Sequence, residues 1–308
     1  MDPSFNPNTT IGAYQIGALV SYLLFGVTIT QVYIYYSRFP DDSRKLKALV
    51  VFVSVCEAAH ALCIGHTLYV FTISDYGHPE RFLQISPQSV EAATFFTGCI
   101  GSCVQGFFAY RIYALSRKPY IPILSWGMSF LRLLGATASF ATALKMDSVV
   151  SYEVQWDWLF LALWIVGIVN DLTITVTLVV FFLRQRRYAH NRTGAIVEKL
   201  IAWTIETGMM TSFSEIIPLI CFVTMERNFI WLALTIVSAP LFSNSLLTSL
   251  NSRVTLRAMN NNSLAFSLPA IPSNSVYITT LPPTMSRTGA GLDAEVALGQ
   301  GNKIASEE

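Results

Sequence analysis

Seven polar side chains, Glu57, His60, Arg132, Asp171, Glu206, Asn244 and Asn251, lie within otherwise apolar stretches of this sequence and define a candidate intramembrane polar network. On insertion scales an Asp, Lys or Arg at mid-membrane costs about 2.5–3.5 kcal/mol, so each needs a partner or a wet cavity. Glu57 and His60 are three positions apart and share a helical face beside Cys56. Glu, His and Cys are all metal ligands, but His60 and His66 point to opposing sides of one helix, and no other apolar stretch holds a His. A hydrogen-bonded, proton-active Glu57–His60 pair is therefore favoured over a metal centre, and no cofactor or metal site is assigned.

Arg132 and Asp171 suggest an ion pair. Each lies 12 residues from the same-side end of its apolar stretch, which places both roughly 18 Å up at 1.5 Å per residue. Either charge alone would be far more costly than the two together. The pair is either a clasp that fixes helix packing or a participant in handling a ligand or ion. Glu206 sits in a Glu206-Thr207-Gly208 run followed by Thr211, Ser212, Glu215 and Pro218. It needs protonation or a partner, while Gly208 and Ser212 let another helix approach closely. Asn244 and Asn251 are seven apart on nearly one face, with Pro240 a turn before, and can hydrogen-bond neighbouring helices.

The elements that must position these groups are seven apolar stretches, about Ile11–Tyr36, Leu46–Ser74, Gln88–Leu115, Tyr120–Leu144, Trp158–Leu183, Ile196–Met225 and Phe229–Leu250. Each reaches the ~20 residues that cross a ~30 Å hydrocarbon core. Hydrophobic residues make up 53% of the chain and charged residues 13%, too little charge to cover a soluble domain of this length. The expected fold is an all-α, polytopic seven-transmembrane-helix bundle. Its parts are a short extracellular segment over 1–10, a membrane domain over 11–257, and a tail over 258–308 rich in Ser, Thr, Pro, Gly and Asn. That composition predicts a disordered cytosolic tail.

Charge placement gives an orientation. Alternate connectors hold Arg38, Arg44, Lys45 and Lys47, then Arg117 and Lys118, then Arg184, Arg186, Arg187 and Arg192, then Arg253 and Arg257. The other set holds Arg81, Lys145 and Arg227. The positive-inside rule then predicts an outer amino terminus and a cytosolic carboxyl terminus, and the plasma membrane is the expected location. Met1–Thr10 lacks the basic segment of a cleavable signal peptide, so the first helix serves as its own insertion signal. The five cysteines fall within predicted helices and read as small hydrophobes. Asn8-Thr9-Thr10 is an outer-side sequon close to the first helix.

Several of these motifs carry a resemblance. Asp171, the fifth connector with Arg192-Thr193-Gly194, the Glu206-Thr207-Gly208 and Thr211-Ser212 run, Ser243-Asn244-Ser245-Leu246-Leu247 and Leu250-Asn251-Ser252-Arg253 together resemble a family of mushroom-forming (basidiomycete) fungal membrane proteins catalogued as a domain of unknown function. The similarity covers about residues 166–253, and Leu24-Phe25-Gly26, Gln31, Tyr35-Tyr36 and Asp41 resemble that family's first helix and loop. The resemblance implies a seven-helix membrane protein and supplies no activity. Phe242 departs from the Tyr expected there.

Among functions, a receptor-like or sensory protein is favoured by helix number, orientation and basic inner connectors. Helix three ends Tyr110-Arg111-Ile112-Tyr113, without the acidic-Arg pair of rhodopsin-like receptors, and helix seven carries no lysine for a retinal Schiff base. A small-solute or proton-coupled transporter is the alternative, supported by the intramembrane charges but not by any visible repeat. An enzyme is not expected, since no Gly-x-Ser-x-Gly elbow, His-Glu-x-x-His pair or phosphate loop occurs. The lipid bilayer is the partner specified, with a ligand or cytosolic partner unidentified and no nucleic acid expected.

Overall fold

The computed structural model describes residues 8–76, 87–144, 149–188, 191–225, 228–256 and 259. The tail beyond 259, the connector charges Arg81, Lys145 and Arg227, and His78 and His190 lie outside them. Seven helices follow in order: α1 Ala13–Arg38, α2 Arg44–Tyr69, α3 Gln88–Ser116, α4 Tyr120–Ala143, α5 Val149–Tyr188, α6 Asn191–Thr224 and α7 Ile230–Asn251. A π-helical turn, Asn8–Gly12, leads into α1, and another, Val70–Ser74, continues α2. All seven are long and apolar enough to span a membrane.

Each apolar run becomes helix because a backbone in hydrocarbon must satisfy its own N–H and C=O groups. The ends form where polar residues can replace the missing partners. Ser43 caps α2 by accepting from Leu46 N at 3.4 Å. At the end of α3, Arg117 adopts a left-handed backbone at φ 58°, and its N–H closes on Tyr113 O at 2.9 Å before Pro119. The helical backbone outruns the apolar stretch in α5 and α6, which reach into charged sequence where exposed Arg186 and Glu198 pair.

Sequential helices pack side by side, and α7 closes the ring against α1. α3 is the hub, touching α2, α4, α5 and α7. α3 and α7 have 61% and 67% of their most apolar windows buried, against 22–39% in the other five, so these two form the interior. The outer helices present Leu19, Leu23, Val55, Leu62, Phe130 and Val176 outward, the apolar face a bilayer requires. Hydrocarbon solvates such residues as well as a core does, so close packing and buried hydrogen bonds must hold the helices together. Gly17 supplies close packing: a Cβ there would lie 2.6 Å from Ala233 O of α7.

Two polar ties mark opposite ends of the bundle. Phe229 N donates to Thr9 O at 3.1 Å, joining the starts of α7 and α1. At the other end, Arg253 binds Asp42 in the α1–α2 connector with bonds of 3.1 and 2.6 Å. These are called the amino-terminal and carboxy-terminal ends of the bundle.

Candidate functional site: a buried charge cluster beneath a cavity

The central cation takes a different partner from the one its depth suggested. Arg132 of α4 forms its ion pair with Glu215 of α6, Nη1 against Oε1, both nearly buried. The expected Arg132–Asp171 pair is corrected for a geometric reason: counting rise fixes a residue's level and leaves its direction around the helix open. Gly167 provides the passage, while Gly101 lies at ordinary contact distance from the guanidinium. A Cβ on Gly167 of α5 would lie 2.5 Å from Glu215 Oε2 and 2.7 Å from Arg132 Nη1, and one on Gly101 of α3 would lie 3.4 Å from Arg132 Cζ. On its other side the guanidinium stands over the Phe242 ring at 5.5 Å, so the position where Tyr was expected supplies an aromatic face.

Asp171 joins a neighbouring set of neutral partners. Gln105 of α3 donates from Nε2 to Asp171 Oδ1 at 2.6 Å and accepts from Asn170 Nδ2 at 3.0 Å. Asn170 also donates to Ser129 Oγ at 3.0 Å and accepts from Ser125 Oγ at 2.6 Å. Four side chains from three helices are thereby tied to Asp171, all of them buried. Gln105 and Asn170 are amides within apolar stretches of the sequence. Their linkage needed the fold.

Glu206 stands apart from this cluster. It lies exposed on the outer face of α6 and makes none of the hydrogen bonds or ion pairs found among the described residues. The reason is helical phase: nine residues separate it from Glu215, which is about 180° at 100° per residue, so one faces out when the other faces in. The Glu57–His60 hydrogen bond is likewise corrected. Glu57 Oε1 accepts from Thr28 Oγ1 of α1 at 3.2 Å, and the buried His60 Nε2 has no hydrogen-bond partner among the described residues. His66 turns the other way, its Nδ1 2.9 Å from Ser89 Oγ.

The polar stripe on α7 forms a seam with α1. Gln31 Nε2 donates to Asn244 Oδ1 at 3.0 Å, and Asn251 Nδ2 donates to Gln31 O at 2.9 Å. Asn244 Nδ2 reaches Leu24 O at 3.1 Å. Below the seam, Tyr35 donates to Asp42 Oδ2 at 3.0 Å, and Arg253 stacks over Phe39 at 4.1 Å while binding that carboxylate. Sequence reading had singled out Asp41; its neighbour Asp42 is the one engaged.

Both intrahelical prolines leave a carbonyl without its usual i+4 donor, and a serine from the next helix replaces it. Pro240 frees Ile236 O, which accepts from Ser21 Oγ of α1 at 3.3 Å. Pro218 frees Ser214 O, which accepts from Ser238 Oγ of α7 at 2.8 Å. These serines carried no distinguishing signal in the sequence.

Arg132 is also the innermost cation of a cavity of about 110 Å³ near the amino-terminal end. Val90, Glu91 and Phe229 line it where α3 and α7 begin, and Gly98 and Arg132 lie deepest, ~15 Å in by helical rise. One wall is aromatic. Trp164 of α5, Phe222 of α6 and Trp231 of α7 meet edge to face with centroids 5.2–6.0 Å apart, and both tryptophans line the cavity. Two smaller voids lie farther along: one of about 20 Å³ beside Asp171, the other of about 10 Å³ beside Arg111. Among the described residues no group of three His, Cys, Asp or Glu side chains could hold a metal ion.

This architecture defines a seven-helix, multi-pass integral membrane protein. Residues 167–255 match the model of a family described as "Family of unknown function (DUF6534)". That stretch carries Asp171, Glu215, Phe242, Asn244, Asn251 and Arg253, while Arg132, Gln105 and Asp42 lie outside it. No curated protein and no solved structure matches the chain.

Proposed function

We propose that this protein is a receptor-like, sensory membrane protein that binds a small aromatic molecule bearing an acidic or hydrogen-bond-accepting group in the cavity at the amino-terminal end. The observation that carries this reading is the cavity's polarity: tryptophans form its wall and one guanidinium forms its base. A ring stacks on Trp164 or Trp231, and its head group meets Arg132. A guanidinium has five N–H donors, so contact with Glu215 leaves donors for a ligand. About 110 Å³ is comparable to the ~150 Å³ cavity that takes one benzene, so one small ring is the most it holds without opening further.

Ligand binding has a route to the helices. A carboxylate at Arg132 competes with Glu215 and loosens the contact between α4 and α6. The basic connectors support an orientation with the cavity facing outward and the carboxyl terminus in the cytosol, and the plasma membrane is the location this reading assigns. The reading is of a binding protein and not an enzyme, because the buried acids engage Thr28, Gln105 and Arg132 instead of converging on a nucleophile.

The test is thermal stabilisation of the purified protein by small aryl carboxylates and their neutral amides. The carboxylates should stabilise saturably and more strongly, and Ala136→Phe, which fills the cavity, should abolish the effect. Equal responses from wild type and Ala136→Phe would refute the site. A proton-coupled carrier is the second reading, favoured by the two voids that follow Arg132 toward the carboxy-terminal end. Reconstituted liposomes that acidify with added solute would support it.

A further inference from the structure

We propose that the void of about 20 Å³ beside Asp171 is a binding site for one sodium-sized monovalent cation. The argument begins with charge. Arg132, Glu215 and Asp171 are the three ionisable groups of the central cluster, at 8%, 1% and 5% exposure. Two carboxylates share one guanidinium, which leaves one negative charge to be balanced in surroundings where an unbalanced charge is costly. Arg132 contacts Glu215 directly and acts on Asp171 from farther off, so Asp171 is the less fully compensated carboxylate.

The oxygens are set for a cation. Asp171 Oδ1 is occupied by Gln105, whereas Oδ2 is buried and has no hydrogen-bond partner among the described residues. Ser245 Oγ of α7 is buried and unpartnered in the same way, and it lines the same void. Three threonines of α6 also line it, beside the apolar Val104, Phe108, Ile174, Leu178 and Phe242, and each donates to a carbonyl of its own helix. Thr204 donates to Leu200 O at 2.7 Å, Thr207 to Trp203 O at 2.7 Å, and Thr211 to Gly208 O at 3.2 Å. Thr211 can instead donate to the Asp171 carboxyl, so Thr204 and Thr207 are the two hydroxyls that offer lone pairs. Hydroxyls that have spent their protons present lone pairs.

A void of this size takes one water-sized body. A water would leave the charge count unchanged. A hard cation satisfies several oxygens at once and brings the cluster to neutrality. One net negative charge matches a monovalent ion better than a divalent one. The bound ion would link α5, α6 and α7 through Asp171, the threonines and Ser245.

The experiment is a melting-temperature titration of the full chain in detergent, with NaCl exchanged for choline chloride at constant ionic strength and pH. Sodium should raise the melting temperature saturably, by several degrees, because a ligand that binds only the folded state stabilises it. Asp171→Asn should remove the sodium dependence. Ser245→Ala, a milder change that serves if Asp171→Asn fails to fold, should weaken the apparent sodium affinity several-fold. Equal melting temperatures in sodium and choline would overturn the proposal and leave a proton as the neutralising species. A sodium effect that persists unchanged in Asp171→Asn or in Ser245→Ala would also overturn it by placing the ion elsewhere.

Discussion

Ser238 of α7 donates its hydroxyl to the backbone carbonyl of Ser214 of α6 at 2.8 Å, the carbonyl that Pro218 deprives of its helical donor. A proline in a membrane helix is tolerated when a neighbouring helix satisfies the freed group. Here the repair also sets the register between α6 and α7. Ser238→Ala should destabilise the protein by about 1–2 kcal/mol, the cost of an unsatisfied buried acceptor. In a Pro218→Ala background, where the helical N–H returns, the same substitution should cost much less. Melting temperatures of the four proteins in this cycle measure the difference, and equal costs in both backgrounds would detach Ser238 from the proline.

The Arg132–Glu215 pair should show strong coupling. Removing either partner leaves the other charge buried and unpaired, so Arg132→Ala and Glu215→Ala should each cost about 3–5 kcal/mol, and the double apolar replacement should recover much of it. The corresponding Arg132 and Asp171 cycle should show weaker coupling, since Gln105 holds Asp171. Stronger coupling to Asp171 would restore the pairing that depth alone suggested.

Gly167→Ala probes the same pair from the backbone. Its Cβ has no room beside Glu215 and Arg132, so the substitution should lower the melting temperature even though alanine is the better helix former. Gly106→Ala, where a Cβ meets nothing within 4 Å, is the control and should be neutral or stabilising. Loss at both positions would point to backbone effects instead of the buried pair.

Arg253 and Asp42 close the carboxy-terminal end with a bidentate contact that is partly exposed, their side chains 29% and 14% accessible. Arg253→Gln should cost about 1 kcal/mol, and the loss should shrink at high salt, as expected for a partly solvated ion pair. A cost independent of salt would assign the contribution to stacking on Phe39.

The helices were legible in the sequence because hydrocarbon thickness imposes a length on every apolar run. α3 and α4 begin at Gln88 and Tyr120, as expected. α5 and α6 outrun their apolar stretches, since hydropathy marks where hydrocarbon ends and a helix can continue into water with pairs such as Arg186 and Glu198. The residue types of the site were legible as well. Their pairing was not, because direction around a helix depends on which face packs inward, and that is decided by all neighbours together. Glu206 and Glu215 show the cost of this ambiguity: half a turn separates an outward acid from the central one. Glu206→Gln should accordingly change stability by less than about 0.5 kcal/mol.

The central claim, a ligand cavity that opens to the outside of the cell, is tested most directly by thiol labelling of Thr94→Cys, a position that lines the cavity near the start of α3. Intact cells would be treated with a membrane-impermeant maleimide, with the parent protein as background for its five cysteines. The account expects labelling of Thr94→Cys above the parent in intact cells, reduced by a stabilising aryl carboxylate. Labelling only after the membrane is permeabilised would contradict the outward-facing cavity.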